Sequence, residues 1–410
     1  MTDWQVVRLE DAAEIVSGIT LGRKTRATDL VAVPYLRVAN VQDGHLDLRE
    51  IKFVNATPAE IKDLSLKDGD LLLTEGGDLD KLGRGACWRT QIPLCIHQNH
   101  IFRVRLPKTS YDPDFVSFQI GSPYGKAYFL AHAKKTTGIA SINRRVLGGF
   151  PLLTAPFSRQ RELVERLKVQ LAEVDKARHA NTLQLKEVRQ LELSVYRSVF
   201  KGVIPVALPK ELGIPPQSWL WRKLTDLAQL ESGHTPSRFH PEWWGGDVSW
   251  ISLTEIRELD GRWVEQTRLR TNEAGIANSS ARILPRGTVC FSRTASVGFV
   301  TIMAEPMATS QDFADWVCGD ELDPQFLMYA LICSRTSLRA IATGATHKTI
   351  YMPQLESFHI CAPELREQKR IVTVLKNRLA EVERIRSAAA EQQREIDTLP
   401  AQILAEVFAN

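Results

Sequence analysis

The sequence predicts an α+β protein of two tandem globular domains, each followed by a long α-helix, the two helices pairing as an antiparallel coiled coil with pseudo-two-fold symmetry. Three observations carry this. The chain is written twice: from Gln160 to Phe200 and from Gln368 to Phe408 it runs in parallel at an offset of 208 without a gap. There Leu171-Ala172-Glu173-Val174 recurs as Leu379-Ala380-Glu381-Val382, and nearer the start of each copy Ser17-Gly18-Ile19-Thr20 recurs as Ser232-Gly233-His234-Thr235. Each copy also has two textures, a region of short β-like runs between Gly, Pro and Asp turns, then a long polar-apolar run. Finally, that long run has helical periodicity in both copies, and the first lacks Gly and Pro from Ser158 to Phe200.

The elements follow in order. The first globular domain covers 1–155, with strands at Val33–Val38, Asp70–Thr74 and Ile101–Arg105 and a helix near Asp114–Ser122. A spacer helix follows over 156–200. Steps of three and four from Val164 meet Val164, Leu167, Leu171, Val174, Arg178, Asn181, Leu185, Val188, Glu192, Val195 and Val199, eight of eleven apolar. That is a heptad seam, and a helix of this length spans about 65 Å. The linker 201–218 holds four prolines. The second globular domain, 219–362, has strands at Val248–Leu253, Thr288–Ser292 and Phe313–Val317 and a helix at Pro324–Ser334. The last helix, 363–410, repeats the seam through Val372, Leu375, Leu379, Val382, Arg386, Ala389, Gln393 and Ile396. Pro400 is expected to kink or interrupt its last turns. Arg178 and Arg386 share a seam position, where they either fix the register or turn their charges out to water. Two helices related by a two-fold are antiparallel, which would hold the domains at opposite ends of a stiff rod.

At 410 residues, 44% hydrophobic and 24% charged, the chain fits two globular cores. Its net charge of +4 is carried entirely by the first 200 residues, which permits nucleic-acid binding without requiring it. Six scattered cysteines without a Cys-x-x-Cys pair read as reduced residues of a cytoplasmic protein. The charged N-terminus is no signal peptide, and no apolar run reaches the ~20 residues of a membrane span.

Catalytic constellations are missing. Gly18 to Thr25 imitates a phosphate loop with the wrong spacing, and the second copy replaces Gly22 and Lys24 with Ser237 and Phe239. His97-Gln98-Asn99-His100 resembles a metal pair, but its counterpart Thr309-Ser310-Gln311-Asp312-Phe313 has neither histidine, so a structural or surface role is expected. There is no Gly-x-Ser-x-Gly, no His-Glu-x-x-His, no Gly-x-Gly-x-x-Gly and no Asn/Asp-Pro-Pro-aromatic segment. No metal ligands are expected, and the chain reads as one that binds rather than reacts.

The candidate binding groups lie on loops. In the first copy they are Arg23, Lys24, Arg26, Arg84, Lys134, Lys135, Arg144 and Arg145; in the second, Arg238, His240, Arg293, His347 and Lys348. Arginine and lysine on loops near Gly-rich turns are what phosphate contact and bidentate base reading require. Any one of them is otherwise a solvated charge, and it is their recurrence at matched positions that favours function.

Two openings carry a resemblance: Pro151-Leu152-Leu153-Thr154-Ala155-Pro156-Phe157-Ser158-Arg159-Gln160-Arg161, and Phe358 to Val372 with Glu367-Gln368-Lys369-Arg370. Upstream of them lie Thr137-Gly138-Ile139-Ala140-Ser141-Ile142-Asn143 and Thr343 to Ile350, and earlier Thr74-Glu75-Gly76-Gly77-Asp78 and Lys81 to Gly85. In this order, twice, they resemble the specificity subunit of type I restriction-modification systems, over essentially the whole chain. The first copy departs at Ser158-Arg159, where the second has Arg366-Glu367. The resemblance implies two target recognition domains, each reading one half of a bipartite, asymmetric sequence in double-stranded DNA. The paired helices would be the spacer and the dock for two methyltransferase subunits. Restriction/translocase subunits would join, and S-adenosylmethionine, ATP and Mg would be bound by those partners, none by this chain. The rival readings are a coiled-coil scaffold without sequence-specific DNA binding and the recognition half of a combined nuclease–methyltransferase.

Overall fold

The structure is a computed structural model that describes residues 4–23, 27–77, 82–136, 139–344 and 348–408. It is α+β and divides into two compact units: Met1–Thr182 with Glu391–Asn410, and Leu183–Ala390.

In the first unit, the central antiparallel sheet has the order Glu14–Ser17, Ile101–Arg105, Leu71–Thr74, Gly85–Cys87. A second sheet pairs Lys52–Ala56 with Val31–Leu36, which runs parallel to Ile96–His97. The core joins Leu71, Leu73, Phe102 and Val104 of the central sheet to Phe115, Phe129 and Phe150. The second unit uses the same plan. Its sheet runs Ala228–Glu231, Phe313–Cys318, Val289–Ser292, Val300–Met303, Trp263–Val264, and its second sheet is Leu269–Thr271, Trp244–Ile251, Ala308–Thr309. The strand Trp244–Ile251 begins earlier than its apolar run because a bulge between Trp244 and Val248 absorbs Gly245 and Gly246.

The recurring Ser-Gly has a steric cause. A Cβ on Gly18 would lie 1.9 Å from the His97 carbonyl oxygen, and one on Gly233 2.1 Å from that of Thr309. At both places the next residue's N–H donates to that same carbonyl, Ile19 to His97 at 2.8 Å and His234 to Thr309 at 3.0 Å.

The long helices are Phe157–Val199 and Leu365–Phe408. Each starts with a buried glutamine. Gln160 accepts the Asp112 N–H and donates to the carbonyls of Ser110 and Ala155; Gln368 accepts the Asp323 N–H and donates to the carbonyls of Glu321 and Pro363. Asp112 and Asp323 are in turn the N-caps of Pro113–Gly121 and Pro324–Ala340, each followed by proline at the first helical position. The same tie therefore fixes each globular sheet-and-helix layer to a long helix.

Seam residues Val164, Leu167, Val174, Val188, Val372, Leu375, Val382 and Ile396 are buried, and Leu171, Leu185 and Leu379 are half-buried. In the first unit Arg178 Nε meets Asp397 Oδ1 at 3.1 Å and Asn181 donates to Gln393 at 2.9 Å, so numbering rises along one segment as it falls along the other. In the second unit Arg386 meets Glu192 at 3.6 Å and Arg378 donates to Ser198 at 3.1 Å, again in opposite senses. Pro400 does not interrupt its helix, which continues to Phe408. Proline there removes one backbone hydrogen bond, and the buried Leu404, Val407 and Phe408 hold the turns that follow.

Those last residues complete the first unit's core. Trp4, Phe115 and Phe408 form a triad with centroids 5.4–6.3 Å apart. The second unit has its own triad of Trp219, Phe326 and Phe200, at 5.6–6.2 Å. All six cysteines are free, and no helix among the described residues is long and apolar enough to cross a membrane.

Candidate nucleic-acid interface

Some candidate residues lie on loops beside the central sheet, whereas Lys134 and Lys135 lie in a strand of a small separate sheet and Arg144 and Arg145 in a helix. In the first unit, Arg23 is committed internally: it pairs with Glu60 at 2.6 Å and donates to the Thr20 and Asn55 carbonyls. The Thr57 backbone N–H first, and Arg23 beside it, hold the Glu60 carboxyl below its ordinary pKa. Lys24 and Arg26 lie outside the described residues. Arg84 donates to Gln42 at 3.0 Å, while its backbone oxygen accepts from Thr74. The glycines around it answer to packing, since Gly83 sits against Phe129 with φ +67° and Gly85 against Leu72 and Leu73.

A small sheet brings the hairpin Lys134–Thr136/Ile139–Ser141 beside Gly76–Gly77, with Lys134 opposite Ser141 and Lys135 opposite Ala140. Glu75 holds this corner: its N–H donates to the His100 carbonyl, its oxygen accepts from Ile142, and its carboxylate meets His100 Nδ1 at 2.6 Å. Arg144 and Arg145 are exposed on the first turn of Arg144–Gly148, without an ion-pair partner among the described residues. Here Lys134, Arg144 and Arg145 are the freest cations. His97 is no metal ligand: it is buried, its ring faces the Val16 carbonyl at 3.4 Å, and burial pushes its pKa down to about 4. No cluster of three or more metal-ligating side chains occurs among the described residues.

In the second unit two loops meet at Gln311. Its side-chain oxygen accepts from Thr235 at 2.6 Å, and its backbone oxygen accepts from the Arg293 guanidinium at 2.8 Å. Arg293 also donates its N–H to the Asp312 carbonyl, and its own carbonyl accepts from Ile350. Ala295, at the tip of the same loop, adopts φ +55°, an unfavourable conformation for a residue with a Cβ, and donates to the Lys348 carbonyl at 2.9 Å. Lys348 is exposed, and His347 lies outside the described residues. Arg293 and Lys348 are thus brought together.

Arg238 and His240 sit on the other loop. His240 stacks on Trp243 at 4.1 Å and contacts Glu242 at 2.9 Å, while Arg238 lies 5.3 Å from the Trp244 ring centre. Arg238, Trp244, Arg268 and Arg270 line an open groove of about 500 Å³, beside which Phe239 is 95% exposed. Cations around an indole face suit both phosphates and a stacked base. The sequence reading did not single out Arg268, Arg270 or Trp244. The only available signal was the aromatic density of Phe239-His240-Pro241-Glu242-Trp243-Trp244.

Residues 216–392 match the family described as type I restriction modification DNA specificity domain. The putative type I restriction enzyme MjaX specificity subunit of Methanocaldococcus jannaschii is 22% identical over 383 residues, 91% of this chain and 86% of that protein. The chain is thus similar to type I specificity subunits along most of its length. The MjaIX specificity subunit of the same organism is 29% identical over 167 residues, and the EcoKI specificity subunit of Escherichia coli 28% over 174. Those two matches take in 40% and 42% of this chain, and span only 39% and 37% of the relatives' own length. The HsdS subunit from Thermoanaerobacter tengcongensis shares the fold at a TM-score of 0.60, 17% identity and coverage of 100% of this chain and 97% of that one. A chain from a structure on complex assembly and conformational transition of the type I R-M system reaches 0.78 at 17% identity, covering 100% and 98%.

Proposed function

We propose that this chain is a specificity subunit, a non-catalytic reader of double-stranded DNA that recognises a bipartite, asymmetric target, one half with each globular domain. The observation that carries the reading is the repeated plan with unlike loops. The central sheet keeps one order through four strands in both units, the second adding Trp263–Val264, while Arg84, Lys134, Arg144 and Arg145 border one and Arg238, His240, Arg293 and Lys348 the other. Lys24, Arg26, Lys135 and His347 extend these two sets, whereas Arg23, spent on Glu60, serves to hold its loop. A constant frame with different polar loops is what reading two different half-sites demands.

The two long helices act in this reading as an antiparallel coiled coil that keeps the pseudo-two-fold relation and sets the unread gap between half-sites. The opposite running of the helix segments inside each unit supports it. The helices also dock two methyltransferase subunits, and restriction/translocase subunits join through them. S-adenosylmethionine, ATP and Mg belong to those partners, and the assembly works in the cytoplasm.

The test is methylation-site mapping by long-read sequencing in cells carrying this gene with its methyltransferase partner, with and without this gene. The expected result is a two-part motif with a fixed gap that disappears on deletion. A motif that survives deletion, or none at all, refutes the reading.

A further inference from the structure

Phe299, at the foot of the loop 292–298, is surrounded by three guanidinium groups. Arg339, Arg335 and Arg257 lie 5.1, 5.3 and 5.9 Å from its ring centre. Two of them hold the loop: Arg335 Nε donates to the Gly298 carbonyl and Arg339 Nε to the Val297 carbonyl, both at 2.7 Å. Among the described residues, the one carboxylate paired within this group takes Arg335 alone of the three. Asp260 accepts Arg335 at 2.7 Å on each oxygen and is further engaged by the Val300 N–H. The neighbouring acids are turned elsewhere, Glu258 to the Arg268 guanidinium and Glu255 to the Arg268 backbone N–H. Arg257 and Arg339 are therefore exposed cations with no ion-pair partner among the described residues. Burial first, and then the charge of Arg335, pull the Arg339 pKa below its ordinary value.

Arg335 and Arg339 each give the fold a hydrogen bond to the loop, but Arg257 shows none among the described residues, and three cations with one paired carboxylate leave positive charge for an anion to join. We propose that Arg257 and Arg339, positioned by Arg335, Asp260 and Phe299, form a sequence-independent clamp on the phosphodiester backbone of duplex DNA. The inference rests on the DNA-reading function above. The occupant follows from continuity. The loop that Arg335 and Arg339 hold is the loop that carries Arg293 and touches Lys348, so the clamp extends the same basic rim. Planar guanidiniums stacked on an aromatic ring are already oriented, and phosphate accepts their N–H groups in pairs. Such a contact fixes position and orientation while the neighbouring loops read bases.

The test uses the full chain, alone and with its methyltransferase partner, and a duplex of arbitrary sequence. Affinity is measured against salt for wild type, the double variant Arg257→Ala/Arg339→Ala, the single Arg257→Ala, and the Lys counterparts. Each lost phosphate contact lowers the slope of log affinity against log salt by about 0.9, so the double variant should lose about 1.8. A fourfold rise in salt then weakens wild type roughly 12-fold more than the double variant. The single variant, which loses no hydrogen bond inside the fold, should lose half that slope, and the Lys variants should keep it. Wild type that binds with a slope unchanged in the Ala variants overturns the clamp alone. Lys variants that behave like the Ala ones also overturn it, since charge would then not be what acts. Wild type that fails to bind duplex even at low salt overturns the DNA reading and the clamp with it.

Discussion

The buried glutamines give the sharpest stability test. Gln368 is 2% exposed and makes three hydrogen bonds of 2.9–3.0 Å, to the Asp323 N–H and the carbonyls of Glu321 and Pro363. Replacing it by alanine leaves one donor and two acceptors without partners where water has no room. Each net hydrogen bond is worth about 1 kcal/mol, and an orphaned buried group costs about 1–3 kcal/mol. The two carbonyls keep other lone pairs, so the low end applies and the loss is about 3 kcal/mol in the second unit. With a urea slope of about 2–3 kcal/mol/M for a unit of this size, the midpoint should fall by roughly 1 M. The assay is urea unfolding followed by tryptophan fluorescence, with Gln160→Ala as the equivalent change in the first unit. Gln368→Glu keeps an acceptor for Asp323 but turns a carboxylate on two carbonyl oxygens, so it should rescue nothing at neutral pH. A midpoint shift under about 0.3 M, or a fully stable Glu variant, would refute the assignment of these ties as structural anchors.

Three further outcomes are expected. Gly233→Ala, whose new Cβ would fall 2.1 Å from the Thr309 carbonyl oxygen, must push two backbones apart; a thermal melt should show a large loss confined to the second unit's transition. The two units should respond oppositely to pH. Burial depresses His97 to about 4, so the unfolded chain binds the extra proton and the first unit loses stability as pH falls from about 6.5 towards 4. Burial raises Asp315 to about 7 despite its bond from Thr309, so the folded chain holds the extra proton and the second unit loses stability as pH rises from about 4 towards 7. Urea midpoints across that window, with His97→Asn and Asp315→Asn flattening one trend each, check the signs. Finally, deleting 177–183 removes one heptad with Arg178 and Asn181, and methylation mapping should show an altered gap with both half-site sequences intact; changed half-site bases would refute the spacer role.

Much of the fold was legible because its signals are local. The strands Leu71–Thr74, Ile101–Arg105 and Val289–Ser292 are short apolar runs bounded by turns, and the helices follow from three-and-four spacing alone. The duplication revealed Gly18 and Gly233 as special before any contact with His97 or Thr309 was known. Charged residues were harder to read, because their partners are remote in sequence. Arg23 looks like a free loop cation and is spent on Glu60; Arg103, a charged residue within a strand, is 1% exposed and bonded to Glu14 and the Asp63 carbonyl, partners 89 and 40 residues away. The three arginines around Phe299 come from two helices and converge only in space, although Arg335 and Arg339 share a helix face by spacing. Proline at position 400 does not interrupt its helix for a related reason, since tertiary packing of Phe408 outweighs the local cost.

The aromatic triads bear on how the protein is made. Trp4 and Phe115 leave the ribosome well before Phe408, which packs on both. A growing chain thus carries an unfinished first domain, its apolar face uncovered, while the whole second copy is translated; that second domain already has its Phe200 when Trp219 and Phe326 emerge. The domain written first is closed only after the second copy has been made. Premature termination anywhere before Phe408 therefore leaves an open core in the first domain, and chaperones and proteases can remove such a product before it engages anything.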